Sequence, residues 1–226
     1  MRISVIIPVY NEEKTLLKIL EKVQAQKPAE IIIVNDASSD GTREILDNYQ
    51  AKNVKIFHHE TNLGKGAAIH AALKAVTQDV VLIQDADLEY DPAEYGKLLK
   101  PIFDGDADVV YGSRFVGSDP HRVMFFGHYL GNRLITLLTN LFANLNLTDI
   151  ETCYKAFRKE AVQSINLVEN DFGFEPEVTI KLGKKGYRFY EVGISYHGRT
   201  FAEGKKIRWT DGLRALVVIF KHGLFS

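Results

Sequence analysis

Two aspartates stand one residue apart near the middle of the chain, directly after a short apolar run. Asp85 and Asp87 follow residues 80–83, and Glu89 lies two positions further on. Neighbouring carboxylates raise each other's pKa unless a cation compensates their charge. Mg²⁺ prefers one or two carboxylates together with substrate phosphates. The spacing therefore suits a divalent metal bound by these three acids, and it suits a solvated acidic turn about equally.

Basic residues in three segments could meet an anionic ligand. Arg114 follows Gly and Ser, where a guanidinium can fork onto phosphate. Arg199 and Lys205 belong to a segment in which Gly204 precedes the lysines, and this segment could fold over phosphates or simply be a solvated loop. Lys65 lies between two glycines, but the pattern GxxxxGK(S/T) is not met, and no GxGxxG follows the first strand. ATPase and dehydrogenase functions are therefore disfavoured.

Alternating short β-rich runs and helical stretches over residues 1–112 predict the elements that position these side chains. We expect a mostly parallel sheet in a three-layer α/β fold. Asn11 is expected to cap the first helix. Ligands of such sheets bind outside the carboxyl ends of the strands, where loops carry Glu12, Asp36 and Asp85. The predicted strands are 3–9, 31–34, 54–57, 80–83 and 109–111, and the predicted helices lie near 16–23, 42–49, 67–76 and 92–103.

The second half of the chain has a less regular pattern. It predicts strands over 152–157 and 187–196 and helices over 159–167, 174–184 and 211–222. We expect one compact domain over residues 1–226, because no linker, repeat or low-complexity segment interrupts the chain.

Composition excludes several classes of protein. The 226 residues are 46% hydrophobic and 25% charged, which excludes a disordered or fibrous chain. Lys and Arg number 28 against 29 Asp and Glu, so no global basic excess favours a nucleic-acid partner. A single cysteine, Cys153, favours a reducing compartment such as the cytoplasm. We expect neither a signal peptide nor a membrane-spanning helix, because the N-terminal apolar run is short and no run of about 18 apolar residues occurs.

Four motifs, taken in their order along the chain, resemble those of a known protein family. They are VIIPVYNEE at residues 5–13, VNDASSDGT at 34–42, NLGKG at 62–66 and QDAD at 84–87. This combination resembles the family 2 glycosyltransferases, which have the GT-A fold, over at least residues 3–115. DADLEYDP at 85–92, GSRF at 112–115 and TCYK at 152–155 are similar to the polyprenyl-phosphate sugar transferases of that family, of which the dolichol-phosphate mannosyltransferases are the best-known type.

The resemblance implies a division of the domain and a role for each candidate residue. Residues 1–112 would bind the nucleotide sugar, 113–208 the acceptor, and 209–226 would form an amphipathic helix. Mg²⁺ or Mn²⁺ would be the cofactor, held by Asp85, Asp87 and Glu89. Asp87, Arg114 and Arg199 would be catalytic. The implied nucleotide-sugar ligands are Pro8, Tyr10, Glu12, Asp36, Lys65, Asp85, Ala86 and Lys205, and the implied acceptor ligands are Arg114 and Arg133.

The implied reaction is inverting transfer of a hexose to a polyprenyl phosphate, from GDP-mannose or, next, UDP-glucose. A phosphate monoester has its second pKa near about 6, so it is already an anionic nucleophile at neutral pH. A sugar hydroxyl would need a general base, and Glu175 and Glu177 at the start of a predicted helix are the candidates. Transfer to a sugar hydroxyl therefore stays an alternative. A catalytically silent nucleotide-sugar-binding regulator is a second alternative.

An apolar stretch over residues 123–147 raises the question of membrane contact. Its phenylalanines and leucines, with arginines nearby, are typical of a helix in the headgroup region of a bilayer. The same pattern fits a helix packed on the sheet or in a dimer interface. We expect a cytoplasmic protein bound peripherally to the membrane surface or to a membrane-protein partner.

Overall fold

One seven-stranded sheet forms the centre of the molecule. The computed structural model describes residues 1–117, 122–199 and 209–225, and only the backbone of 209 and 210. The strand order is β3-β2-β1-β4-β6-β5-β7. The strands are β1 (Ile3–Val9), β2 (Glu30–Asn35), β3 (Val54–His58), β4 (Val80–Ile83), β5 (Val109–Ser113), β6 (Lys155–Arg158) and β7 (Phe189–Gly193).

The central strands are buried on both faces, as their uninterrupted apolar sequences predict. Ile6 and Ile32 are adjacent in the parallel β1–β2 ladder, and Ile6 is also level with Ile83 of β4. All three side chains are buried. The carboxyl ends of β2, β1 and β4 therefore meet at one edge of the sheet.

One strand runs against the others. β6 pairs antiparallel with both β4 and β5, and it begins at Lys155 rather than at 152. The sheet is mostly parallel, as expected. Because β6 runs the opposite way, the residues that precede it lie at the same edge as the carboxyl ends of its neighbours.

Helices on the two faces complete a three-layer α/β fold. α3 packs on β1 and β2, α4 packs on β5 and β6, and α5, α7 and α8 pack on one another. The helices are α1 (Leu16–Ala25), α2 (Thr42–Asp47), α3 (Lys65–Ala75), α4 (Tyr95–Phe103), α5 (Phe126–Ala143), α6 (Lys159–Gln163), α7 (Phe174–Lys184) and α8 (Trp209–Phe225). A single 3₁₀ turn, Pro92–Glu94, leads into α4.

The expected cap at Asn11 is wrong. Thr15 precedes α1, which begins five residues after Asn11. Asn11 has a φ of 51°, and its Oδ1 accepts a hydrogen bond from the Ser39 backbone N–H at 2.7 Å. Its side chain therefore ties the loop after β1 to the loop after β2.

Helix α5 buries several polar side chains and exposes several large apolar ones. Asn132, Thr136 and Thr139 are buried, whereas Leu137 and Leu141 are 65% and 72% exposed. None of the helices in the described part of the chain combines the length and the apolar character needed to cross a bilayer.

Candidate active site

A cavity of about 780 Å³ opens at the carboxyl edge of the sheet. It extends from the end of β2, past β1 and β4, to the ends of β6 and β5. Most of the residues that the sequence singled out line it, namely Pro8, Tyr10, Glu12, Asp36, Lys65, Asp85, Ala86, Asp87, Glu89, Arg114, Glu175 and Arg199.

Arg199 joins three acids from two loops. Its Nη2 lies 2.7 Å from Asp87 Oδ2 and 3.1 Å from Glu12 Oε1. Its Nε lies 3.3 Å from Glu89 Oε1, and its backbone N–H also donates to that oxygen. The guanidinium therefore links the loops after β1 and β4 across the mouth of the cavity.

The acids of the D-x-D motif differ in their electrostatic environment. Burial raises the pKa of Asp87 to about 7, with the charges of Asp85 and Glu89 adding to the effect and Arg199 opposing it. Burial also opposes ionisation of Asp85, but the Lys65 ammonium holds the pKa of this carboxyl below its usual value. The motif is thus rich in negative charge that a bound cation would offset.

Lys65, the first residue of α3, contacts two acids at the floor of the cavity. Its Nζ lies 3.0 Å from Asp85 Oδ1 and 3.4 Å from Glu175 Oε1. Gly64, just before it, has a φ of +101°, and a Cβ there would collide with the Asn170 carbonyl. The Gly-Lys-Gly motif therefore lets the start of α3 pack closely against the segment before α7.

Asp36, one of the implied nucleotide-sugar ligands, is bound by groups of the protein itself. Its Oδ1 and Oδ2 accept hydrogen bonds from the backbone N–H groups of Leu63 and Gly64, at 2.9 and 2.8 Å. His59 Nδ1 lies 2.7 Å from the same carboxyl. Asp36 lines the cavity, and in this structure it anchors the loop before α3.

Arg114 forms a buried ion pair at the β5 end of the cavity. Its Nε and Nη2 donate to Asp149 at 2.7 and 2.8 Å, and both side chains are buried. The expected fork onto phosphate is thus occupied by a carboxylate. A guanidinium has five N–H donors, so this pairing leaves donors for another partner.

One of the predicted ligands lies elsewhere, and another cannot be placed. Arg133 is exposed on α5 and is absent from the cavity lining, whereas its neighbour Asn132 donates to Asp149 at 2.9 Å. Lys205 falls outside the described residues.

Sequence patterns did not indicate two further acids of the site. Asp149 neutralises Arg114 from 35 residues away. Glu151 lines the cavity beside Cys153, just before β6. Burial raises the pKa of Glu151 to about 8, and the neighbouring charge of Glu175 adds to the rise. The segment TDIETCYK holds three charged residues, and the antiparallel course of β6 brings one of them, Glu151, to the cavity.

The donor set fits a hard divalent cation. Asp85 and Asp87 offer carboxylate oxygens of the kind that Mg²⁺ and Mn²⁺ prefer. Among residues 1–117, 122–199 and 209–225, no three acidic, histidine or cysteine side chains converge as a metal-binding group. Asp87 and Glu89 both pair with Arg199 in this structure. These acids do not enclose an ion by themselves, so Asp85 and Asp87 would share it with ligand phosphates.

Sequence comparison identifies the family. The pattern of glycosyl transferase family 2 matches residues 4–165. The chain belongs to this family. It is 31% identical to an undecaprenyl-phosphate mannosyltransferase of Micrococcus luteus over 99% of this chain and 95% of that protein. It is 28% identical to the glycosyltransferase AglJ of Haloferax volcanii over 87% of this chain, which spans 63% of that relative.

Solved structures of the same fold include a glucosyl-3-phosphoglycerate synthase from Mycobacterium tuberculosis. That structure, with Mn²⁺, UDP and phosphoglyceric acid, superimposes with a TM-score of 0.76, covering 100% of this chain and 79% of that chain at 18% identity. The GT-A fold expected from the sequence is confirmed. Family membership makes this protein a glycosyltransferase, so the catalytically silent regulator is set aside.

Proposed function

We propose that this glycosyltransferase moves a hexose from a nucleotide sugar to a polyprenyl phosphate, with inversion at the anomeric carbon. GDP-mannose is the favoured donor and UDP-glucose the next. The observation that carries the proposal is the position of Arg114, a buried cation at one end of the cavity and beside an exposed apolar face. An acceptor with a phosphate head and a hydrocarbon chain needs both features.

Contacts link Arg114 to that face. Its guanidinium carbon lies 6.0 Å from the ring centre of Phe115, which meets the ring of Tyr129 on α5 at 5.7 Å. We define the α5/α8 apolar face as the exposed large apolar side chains of these helices and of the residues before α5. They are Val123, Phe125, Phe126, Tyr129, Leu130, Leu134, Leu137, Leu141, Leu213, Val217, Phe220, Leu224 and Phe225.

This face supports peripheral attachment to a membrane. α5 and α8 pack together, and the rings of Phe142 and Phe220 meet at 5.7 Å between them. Extended apolar surfaces on soluble domains mark sites of protein or membrane contact. We favour a lipid surface on the cytoplasmic side, because a lipid-linked acceptor would be presented there with its phosphate at the headgroup level.

Different residues along the cavity would bind different parts of the substrates. Pro8, Tyr10 and Asp36 would surround the nucleoside, and Lys65 and Arg199 would bind diphosphate oxygens. Asp85 and Asp87 would hold Mg²⁺ or Mn²⁺, which would supply Lewis-acid stabilisation of the departing nucleoside diphosphate. In this structure the Arg199 guanidinium is bound to carboxylates. When the donor binds, its phosphates would replace these carboxylates as partners of Arg199. This exchange would close the mouth of the cavity.

The acceptor phosphate needs orientation rather than deprotonation. Arg114 would hold it with the donors that Asp149 leaves available, and one phosphate oxygen would attack the anomeric carbon opposite the leaving diphosphate. The chain is similar to an undecaprenyl-phosphate mannosyltransferase over 99% of its length, and this similarity supports the choice of acceptor.

The direct test measures lipid-linked product. The protein is incubated with Mg²⁺, undecaprenyl phosphate in detergent and labelled GDP-mannose or UDP-glucose, with a control lacking lipid and one containing EDTA. We expect lipid-dependent transfer from one donor only. Donor hydrolysis without lipid product would contradict the proposed acceptor.

Transfer to a sugar hydroxyl is the second candidate, because Glu175 lies in the cavity. Its Oε2 is buried without a hydrogen-bond partner, as a base awaiting a substrate proton would be. Lys65 is bound to its other oxygen. If Glu175→Gln abolished turnover with a sugar acceptor while donor binding persisted, this candidate would replace the first.

A further inference from the structure

The loop between α5 and β6 brings Glu151 to a specific point of the cavity. Because β6 runs antiparallel between β4 and β5, Glu151 precedes it at the same sheet edge that carries Asp85 and Asp87 after β4 and Arg114 after β5. Neighbouring strands lie about 4.8 Å apart, so β4 and β5 are separated by about 10 Å. Glu151 therefore lies between the acids of the D-x-D motif and Arg114.

That position corresponds to the transferred sugar. In the proposed reaction the diphosphate lies at Asp85 and Asp87 and the acceptor phosphate at Arg114. The hexose must lie between them, since its anomeric carbon exchanges one phosphate oxygen for the other. Glu151, Cys153 and Glu175 are among the side chains that line the cavity.

Two carboxyl oxygens in this part of the cavity lack a hydrogen-bond partner. They are Glu151 Oε1 and Glu175 Oε2, both enclosed by the protein, and Glu175 is only 4% exposed. A buried polar atom without a partner costs roughly 1–3 kcal/mol. Sugar hydroxyls both donate and accept hydrogen bonds and would satisfy these oxygens.

The backbone on both sides of Glu151 is held in place. The Lys155 Nζ donates to the carbonyl of Ile150 at 2.9 Å and to that of Thr152. Lys155 is itself buried, and its ammonium lies 4.6 Å from the ring centre of Tyr111. This fixed loop reduces the entropy lost when a ligand binds Glu151.

The protonation state of Glu151 suits a site flanked by phosphates. Burial first and then the charge of Glu175 raise its pKa to about 8, so the carboxyl is neutral at physiological pH. A neutral carboxyl donates one hydrogen bond and accepts others, and it does not repel the phosphates at either side.

We propose that Glu151 determines sugar specificity by binding a hydroxyl group of the transferred hexose, with Glu175 beside it. The inference rests on the proposed function for the identity of the ligand as a nucleotide sugar. It adds a residue that distinguishes one hexose from another by the orientation of a single hydroxyl group.

The test compares nucleotide sugars with the corresponding nucleotides. Calorimetry with Mg²⁺ gives the affinity of wild type, Glu151→Leu and Glu151→Gln for GDP-mannose and GDP, and for UDP-glucose and UDP. We expect Glu151→Leu to reduce nucleotide-sugar affinity about tenfold and to leave nucleotide affinity unchanged. Glu151→Gln, which keeps hydrogen-bonding atoms, should retain most of the affinity. Glu160→Leu, on the exposed side of α6, is the matched control.

A second measurement starts from the wild-type protein, so that its first result does not depend on the folding of a variant. Donors lacking one hydroxyl group at a time are titrated into the wild-type protein. One of them should bind about tenfold more weakly than the complete donor, and it should lose nothing further in Glu151→Leu.

Several outcomes would overturn the inference. These are an equal loss of nucleotide and nucleotide-sugar affinity in Glu151→Leu, no loss at all, or a wild-type protein that gains no affinity from the hexose of either donor. If the sugar-dependent loss occurs but wild type forms no lipid-linked product, the proposed acceptor fails and the role of Glu151 stands.

Discussion

The buried pair of Arg114 and Asp149 shows why a predicted catalytic cation has to be interpreted with its partner. Removing one member of a buried ion pair leaves an uncompensated charge, which typically costs about 3–5 kcal/mol. We expect Asp149→Asn, which keeps the size of the side chain, to lower the free energy of unfolding by about 3 kcal/mol. Urea denaturation measures this.

A variant that breaks an exposed ion pair serves as the control, because it separates the effect of burial from the effect of losing a charge. Asp104→Asn removes a carboxylate from the exposed pair with Lys100 on α4. Its urea midpoint should equal that of wild type, because exposed pairs contribute little. Equal midpoints for Asp149→Asn and Asp104→Asn would contradict the structural role given to Asp149.

Glu151 makes stability depend on pH around neutrality. Its pKa is about 8 in the folded protein against 4.5 for an ordinary glutamate, so folding favours the protonated form. The stabilisation is complete below the ordinary value and is lost as the pH rises through the folded value. The charges that contribute to this shift are those of Glu175, Lys155, Arg114 and Asp149.

We therefore expect Glu151→Gln to flatten the pH dependence of unfolding. Between about pH 5 and pH 8 the urea midpoint of wild type should fall more steeply than that of the variant. Parallel curves for the two proteins would show that Glu151 titrates normally in the folded state. Glu160→Gln, at an exposed position, should follow the wild-type curve.

Helix α3 depends on a glycine at its start. We expect Gly64→Ala to lower the free energy of unfolding by more than 1 kcal/mol, because φ is +101° and the added Cβ meets the Asn170 carbonyl. The substitution should also weaken binding of the nucleotide sugar, because Lys65, a proposed diphosphate ligand, is the next residue in the chain. Gly96→Ala is the matched control, because Gly96 lies inside α4 with open space around it. That change should instead raise stability by about 0.5–1 kcal/mol.

The positions of several elements could be predicted from the sequence, whereas the direction of a strand could not. The bounds of β1, β4 and α7 are as predicted, because buried parallel strands and amphipathic helices leave clear patterns. The antiparallel direction of β6 could not be predicted, because four residues carry no signal for strand direction. Asn11 has the residue type of a helix cap, but tertiary contacts with Ser39 decided its conformation.

The active site likewise has residues that could be predicted from the sequence and residues that could not. The motifs located Glu12, Asp85, Asp87 and Arg199 because each follows a strand or a distinctive turn. The partners that set their charge came from elsewhere in the chain. Asp149 and Glu151 carry no motif of their own, and only the folded structure shows that Asp149 pairs with Arg114 and that Glu151 lines the cavity.

The whole molecule has an unusual distribution of apolar surface. In α5 several inner positions hold polar side chains such as Thr136 and Thr139, while many large apolar side chains of α5 and α8 face outward. Burial in the monomer cannot explain this arrangement, since the outer residues gain nothing from folding. A membrane surface near Arg114 would explain it and would bring a lipid-linked phosphate to the cavity.

The corresponding prediction concerns binding to vesicles. Leu137→Gln with Leu141→Gln changes two neighbouring residues of the α5/α8 apolar face, 65% and 72% exposed. The double variant should lose co-flotation with liposomes containing anionic lipids, because each buried leucine contributes about 1.5–3 kcal/mol to insertion. Its affinity for the nucleotide sugar should not change.

Leu17→Gln is the control for that experiment, because Leu17 is 56% exposed on α1, outside the α5/α8 apolar face. It should float with liposomes as wild type does. If the double variant floats equally well, the face does not bind lipid. A concentration-dependent dimer that the double variant alone fails to form would then assign the face to contact between two copies of the chain. In that case the acceptor would have to reach Arg114 without help from a bound bilayer, and the link between apolar surface and acceptor would be lost.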